Sequence, residues 1–195
     1  MEDESEGRVC TMEWMDIILI IVSCFWIVEV WRFRNRKEAT DGSVERKSFY
    51  FVAATMIAVF SLSIISSVVF ETPPSITQQM IGLTLYIAGV SLRYWGILHL
   101  RHQFTRHVVV RPEDELVSSG PYRYLRHPLY TGLLLITFGF SLYFLHWVIA
   151  LIGAGITSLA LLYRIHIEEG MLIRHFGQAY RTWSKSRKRL FPFIY

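Results

Sequence analysis

The sequence predicts an all-α, polytopic membrane protein with about five transmembrane helices, the last two a helical hairpin followed by a cytoplasmic helical tail. Three observations carry this reading. Of the 195 residues, 52% are hydrophobic, with a positive mean hydropathy, which points to a membrane domain rather than a soluble one. Five apolar runs are readable, and a span needs about 20 apolar residues, with roughly 17 as the lower limit. The Lys and Arg residues gather in three segments separated by loops that contain none.

Met15–Trp31 is the first run and reaches the minimum length. Its acidic flank (Glu2, Asp3, Glu4, Glu6) lacks the basic start of a signal peptide, so cleavage is not expected. Phe49–Phe70 is comfortably long, and Ser61, Ser63, Ser66 and Ser67 are expected to let neighbouring helices approach. Pro73-Pro74 marks a sharp turn before the third run, Met80–Leu98. Glu29 and Arg93, charged residues within the first and third runs, are expected to snorkel to the interface.

Residues 1–98 thus form three spans, and 99–195 complete the same single membrane domain. His99–Pro128 is too polar to span and reads as a partly irregular cover folded over a membrane site. Leu129–Tyr143 is short, and with Trp147–Tyr163 it reads as the hairpin, turning at Phe144-Leu145-His146. The last helix continues past Tyr163 to Phe176, where Gly177 ends it. An amphipathic segment, Ala179–Ser186, leads to the basic run Lys185–Arg189. The apolar stretch Leu190–Tyr195 is expected to dock at the interface.

Charge sets the orientation. Six Lys or Arg lie in Arg32–Ser48, five in His99–Pro128 and seven in Arg164–Tyr195, leaving only Arg8 and Arg93 elsewhere. By the positive-inside rule the N-terminus is outside and the C-terminus cytoplasmic, as an odd number of spans requires. The high isoelectric point is therefore a topology signal, and no nucleic-acid partner is expected. Cys10 and Cys24 are isolated thiols, so neither a disulfide nor a metal site is expected. Phosphate-cradling glycine loops, nucleophile elbows and zinc-helix motifs are missing, as are the repeated halves of a transporter.

Two constellations remain. The junction Gly120–Gly132 places Arg123, Arg126, His127 and three tyrosines directly before an apolar helix, where polar side chains usually line a site or pair with something. Pro128 suits a first helical turn and pushes His127 toward an extended conformation, so that the ring projects from a stiff joint. Tyr130, one turn on, faces the same cavity or anchors in the aromatic belt. Arg164 and Glu168 lie four apart on one helix face. They form either an intrahelical ion pair or a site in which the guanidinium grips a carboxylate and Glu168 accepts hydrogen bonds from a cofactor. Glu169 adds a second carboxylate with no cation on its own stripe. The residues alone stop at a membrane enzyme or a small membrane-binding protein with a cytoplasmic-face site.

The segment Leu116-Val117…Gly120-Pro121-Tyr122-Arg123…Arg126-His127-Pro128-Leu129-Tyr130-Thr131-Gly132 resembles the core motif of the isoprenylcysteine carboxyl methyltransferase family. Arg164…Glu168-Glu169…Leu172…Phe176-Gly177…Tyr180…Arg189-Leu190-Phe191-Pro192 is similar to its C-terminal signature. The likeness covers about Arg111–Phe193; the first three spans match only in being spans. It implies S-adenosylmethionine as cofactor, held without a Rossmann domain by Asp114, Glu115, Leu116, Val117, Tyr122, His127, Pro128, Leu129, Tyr130 and Glu168. Arg164 would bind the substrate carboxylate, with Arg164 and Glu168 the catalytic pair. At the position of Asp114 the family often has histidine. The implied acceptor is a prenylated or other lipidic carboxylate, in a member of prokaryotic type in the cell membrane. Phospholipid N-methyltransferases and NADPH-dependent sterol reductases share similar endings, and a non-catalytic lipid-binding protein is the remaining class.

Overall fold

The computed structural model describes residues 3–32, 43–69, 74–100, 115–145 and 147–190. Among the described residues, six α-helices follow in order: α1 (Asp3–Arg32), α2 (Ser43–Val69), α3 (Ile76–Leu100), α4 (Pro128–Phe144), α5 (Trp147–Phe176) and α6 (Gln178–Lys185), with a 3-10 turn at Gly120–Arg123 before α4. Among the described residues, three helical stretches are long and apolar enough to cross a membrane: Arg46–Val69, Ile76–Leu100 and Trp147–Phe176. Pro128–Phe144 is a shorter apolar helix. Outward faces carry Ile57, Ile65 and Val68 on α2 and Leu151, Ile152 and Leu159 on α5, all exposed, as expected where lipid replaces a protein neighbour.

The helix ends follow from local chemistry. Ser75, just after Pro73-Pro74, caps α3 by accepting the Gln78 N–H on its hydroxyl at 3.3 Å. The Gln78 amide then reaches the hairpin turn, donating to the Leu142 and Leu145 carbonyls at 3.0 and 2.5 Å. These carbonyls at the end of α4 have no further helical turn to satisfy them. The hairpin predicted between Tyr143 and Trp147 is present; His146 at its tip lies outside the described residues. Gly177 ends α5 with φ of 54°, a backbone region that favours glycine. α6 spans nearly the amphipathic segment read from the sequence, with Tyr180 buried.

The centre of the fold is the α3–α4 contact, and glycine sets its distance. A Cβ on Gly139 would lie 2.5 Å from the Tyr86 nitrogen and 2.6 Å from the Gly82 carbonyl oxygen. One on Gly89 would lie 2.7 Å from the Gly132 oxygen and 2.8 Å from the Ile136 nitrogen. Backbones touch here, which is how membrane helices gain packing energy when lipid is as apolar as any side chain. The four serines in the second half of α2 play this part only in half. Ser63 and Ser66 are buried, and Ser63 donates to Ser141 of α4 at 3.2 Å. Ser61 and Ser67 face outward, because the α2 contact surface is one stripe and they fall off it.

α1 is fastened by polar contacts. Tyr86 and Ser23 share a hydrogen bond of 2.9 Å, Tyr94 donates to the Phe25 carbonyl at 2.6 Å, and Tyr143 donates to Asp16 at 2.6 Å. The expectation that Glu29 and Arg93 snorkel apart is overturned. They form a buried two-pronged ion pair between α1 and α3, through Arg93 Nε and Nη2, with the Glu29 side chain 2% exposed. Arg93 also donates to the Leu129 carbonyl of α4 at 3.3 Å. Two opposite charges on facing helices satisfy each other more completely than either would by stretching to the interface.

This packing predicts the stability of four variants, measured by thermal melting. Gly139→Ala should lower stability by about 2 kcal/mol or more, since backbone must move. Gly155→Ala, where a Cβ meets nothing within 4 Å, should be neutral or mildly stabilising in the same thermal melt. Glu29→Gln leaves the Arg93 charge buried without its counter-ion and should cost about 3 kcal/mol. The double variant Glu29→Gln/Arg93→Met should recover most of that loss.

Candidate active site

The site forms where α5 passes the start of α4. Pro128 opens α4 and is buried. The backbone of His127 has φ −128° and ψ 59°, away from the helical region but short of the fully extended conformation expected before proline. The reason is the cap: its carbonyl turns inward to accept the Tyr130 and Thr131 N–H groups, both at 3.1 Å. The His127 ring is buried and stacks on Tyr130, with centroids 5.6 Å apart and planes 22° apart. Both ring nitrogens face carboxylates of α5: Nδ1 lies 3.8 Å from Glu168 and Nε2 lies 3.4 Å from Glu169.

Arg164 and Glu168 are joined through Tyr130. Arg164 Nε donates to the Tyr130 hydroxyl at 2.8 Å, and that hydroxyl donates to Glu168 Oε2 at 2.5 Å. One oxygen therefore fixes a guanidinium and a carboxylate relative to each other. Arg164 is 4% exposed, whereas the Glu168 side chain keeps 20% of its surface open. Tyr122 is buried nearby. Burial, and then the negative charge of Glu168, push its phenol far above the ordinary value, so it stays protonated.

Glu169 has a separate role. The sequence shows no cation on its helical stripe, yet the fold brings cations from elsewhere. Arg126 of the junction donates to Oε1 at 3.1 Å, and Arg189 of the tail pairs with Oε2 at 2.9 Å. Tyr180 of α6 adds a hydrogen bond to Oε1 at 3.3 Å. Burial and the Glu169 charge keep that phenol protonated as a donor. Around this carboxylate the tail pairs with the junction as a short parallel bridge, Leu125 with Lys188. Arg126 N–H donates to the Lys188 carbonyl at 2.7 Å, and Lys188 N–H to the Tyr124 carbonyl at 3.0 Å. Thr131 of α4 holds the Leu190 carbonyl at 2.5 Å. Arg187 lies over the Trp183 ring and donates to the Tyr122 carbonyl at 2.7 Å.

Of the sequence-predicted residues, His127, Tyr130, Arg164 and Glu168 come together, with Tyr122 close to Glu168. Leu129 contributes its carbonyl to Arg93, and its side chain faces Gly96. Glu115, Leu116 and Val117 lie in an irregular segment, Glu115 exposed and the other two half-buried. That segment is tied to α6 by the Trp183 indole, which donates to Ser118 at 2.9 Å. Asp114 lies outside the described residues. Sequence reasoning missed Ser48, whose hydroxyl accepts from Arg164, and the roles of Arg126, Tyr180 and Arg189. A small residue among aromatics carries no helical-spacing signal, and partners in other segments share no periodicity with Glu169.

Long apolar helices packed around a basic junction, with Arg164 and Glu168 bridged by Tyr130 where α5 passes the start of α4, define a membrane-embedded helical protein with a polar cluster among its helices. The sequence pattern of the isoprenylcysteine carboxyl methyltransferase (ICMT) family matches residues 80–174. An uncharacterised Bacillus subtilis protein, YpbQ, is 32% identical over 127 residues, covering 64% of this chain and 74% of its own. Protein-S-isoprenylcysteine O-methyltransferase B of Arabidopsis thaliana is 29% identical over 153 residues, covering 75% of this chain and 76% of its own. A solved eukaryotic intramembrane Ras methyltransferase, ICMT, superposes with a TM-score of 0.63 over 80% of this chain, at 24% identity. That likeness shows the fold alone, and this chain spans 55% of the solved chain. The chain belongs to the isoprenylcysteine carboxyl methyltransferase family, and by that membership it is classed as a methyltransferase.

If Glu169 is the clamp between tail and junction, Glu169→Gln should loosen both. Hydrogen exchange at Arg126, His127 and Lys188 should rise about tenfold or more, while exchange in the middle of α3 stays unchanged.

Proposed function

We propose that this protein transfers a methyl group from S-adenosylmethionine to the carboxylate of a prenylated or otherwise lipidic acceptor. The single observation behind this reading is the Tyr130 hydroxyl that joins Arg164 to Glu168. The residues present suit the cofactor. Glu168 offers acceptor oxygens on a partly open carboxylate for an amine or hydroxyl, and the His127 and Tyr130 rings beside it suit a sulfonium. Tyr122, Leu129 and Pro128 would enclose the remaining surface, with Glu115, Leu116 and Val117 contributing from the irregular segment; for Asp114 the cofactor contact rests on the sequence resemblance alone.

When bound, S-adenosylmethionine supplies an electrophilic methyl group whose transfer to a carboxylate oxygen moves no proton. The protein's task is then alignment and exclusion of water. Arg164 would grip the acceptor carboxylate through paired N–H donors. Tyr130 fixes the distance between that grip and Glu168, so donor and acceptor would be held at a set separation. Arg164 also stabilises the unreacted carboxylate, so its contribution must come from orientation rather than from charge alone. We place the reaction at the cytoplasmic face of a single five-span membrane domain, N-terminus outside, in a prokaryotic-type cell membrane. The clustering of Lys and Arg supports that orientation.

Titration calorimetry of the purified protein should detect S-adenosylmethionine binding, and its absence would overturn the proposal. Glu168→Gln should weaken that binding about tenfold or more. Arg164→Lys, which loses the two-pronged geometry, should lower carboxylate methylation about a hundredfold while cofactor affinity stays within about threefold. Equal loss of both would disprove the division of labour between the two residues.

A further inference from the structure

α2 reaches the site through two neighbouring residues near its start. Ser48 is 1% exposed, and its hydroxyl accepts a hydrogen bond from Arg164 Nη1 at 3.1 Å. The centre of the Phe49 ring lies 5.4 Å from the Arg164 Cζ atom, and the Tyr130 ring lies 5.9 Å from it. The guanidinium thus rests against aromatic rings from both α2 and α4, while Ser48 and Tyr130 hold two of its nitrogens in plane. Recognition of a carboxylate by arginine depends on that plane, because the two parallel N–H bonds work only when the fork faces the oxygens.

Ser48 and Phe49 lie outside residues 80–174, the part of the chain that matches the family. We infer that they are positioning residues for the acceptor: they fix the plane of Arg164, and so set the preference of the site for a free carboxylate over its methyl ester. This rests on Arg164 being the carboxylate anchor. The reaction turns a charged, two-oxygen acceptor into a neutral ester that cannot fill the fork. The alignment that holds the substrate therefore stops holding the product once the methyl group arrives. α2 would then contribute to turnover as well as to binding.

The test uses the full chain in lipid nanodiscs and measures affinity for an S-farnesyl cysteine with a free carboxylate, for its methyl ester, and for S-adenosylmethionine. Ser48→Ala should weaken binding of the acid about tenfold, leaving the ester and cofactor within about twofold. Phe49→Leu should move the acid in the same direction, and Ser48→Thr should restore it. Uniform weakening of acid, ester and cofactor would mean a merely structural role and would overturn the inference. So would an unchanged acid-to-ester preference in both Ser48→Ala and Phe49→Leu, while Arg164→Lys abolishes it. If Arg164→Lys itself keeps the preference, the anchor role falls, and this inference falls with it.

Discussion

A charge held beside lipid must be satisfied by the protein itself, because no water is at hand to do it. Three glutamates meet that requirement here, each differently. Glu29 is neutralised by Arg93, which draws α1 against α3 and, through the Leu129 carbonyl, sets the start of α4. Glu169 gathers Arg126, Arg189 and Tyr180, which brings the tail over the junction. Glu168 is left partly open, reached by Tyr130 alone among hydroxyl donors in the described site. Two carboxylates thus hold parts of the fold together, while the third stays partly open in a fixed place.

The packing serves the same end. The glycine contacts between α3 and α4 make that helix pair rigid, and Tyr130 and His127 sit at its end. The Tyr130 hydroxyl, which bonds both Arg164 and Glu168, is carried on this helix, so a shift of α4 would change both distances together. α5 supplies Arg164, Glu168 and Glu169 from one continuous helix, so their mutual spacing is fixed before any tertiary contact forms.

Much of this was legible in the residues. The apolar runs located the helices, Pro128 and Gly177 marked two ends, and the spacing of Arg164 and Glu168 put them on one face. Composition was less informative about partners across the fold. Arg93 reads as an interfacial cation because a single span shows no counter-charge; Glu29 lies 64 residues away. Ser61, Ser63, Ser66 and Ser67 look alike in sequence, yet of these four only Ser63 and Ser66 are buried, since the stripe that packs depends on how α2 is rotated. The packing role of glycines 82, 89, 132 and 139 is not legible in the sequence, because a glycine in an apolar run looks like any other small residue until a second backbone lies against it. Ser48 has the same difficulty: its importance comes wholly from Arg164, 116 positions later.

The bridge between Leu125 and Lys188 bears on how the molecule is made. Its two sides are separated by the whole α4–α5 hairpin, and the Arg126 side chain reaches forward 61 residues to the Arg187 carbonyl. A ribosome threading this chain into a bilayer delivers the junction first, then both hairpin helices, and only afterwards the strand that completes the clamp. Closing so long a loop is slow relative to local helix formation. Insertion and closure are thus separable events: α4 and α5 can be in place while the junction is still unclamped, and the clamp closes only once the segment after α6 has been made.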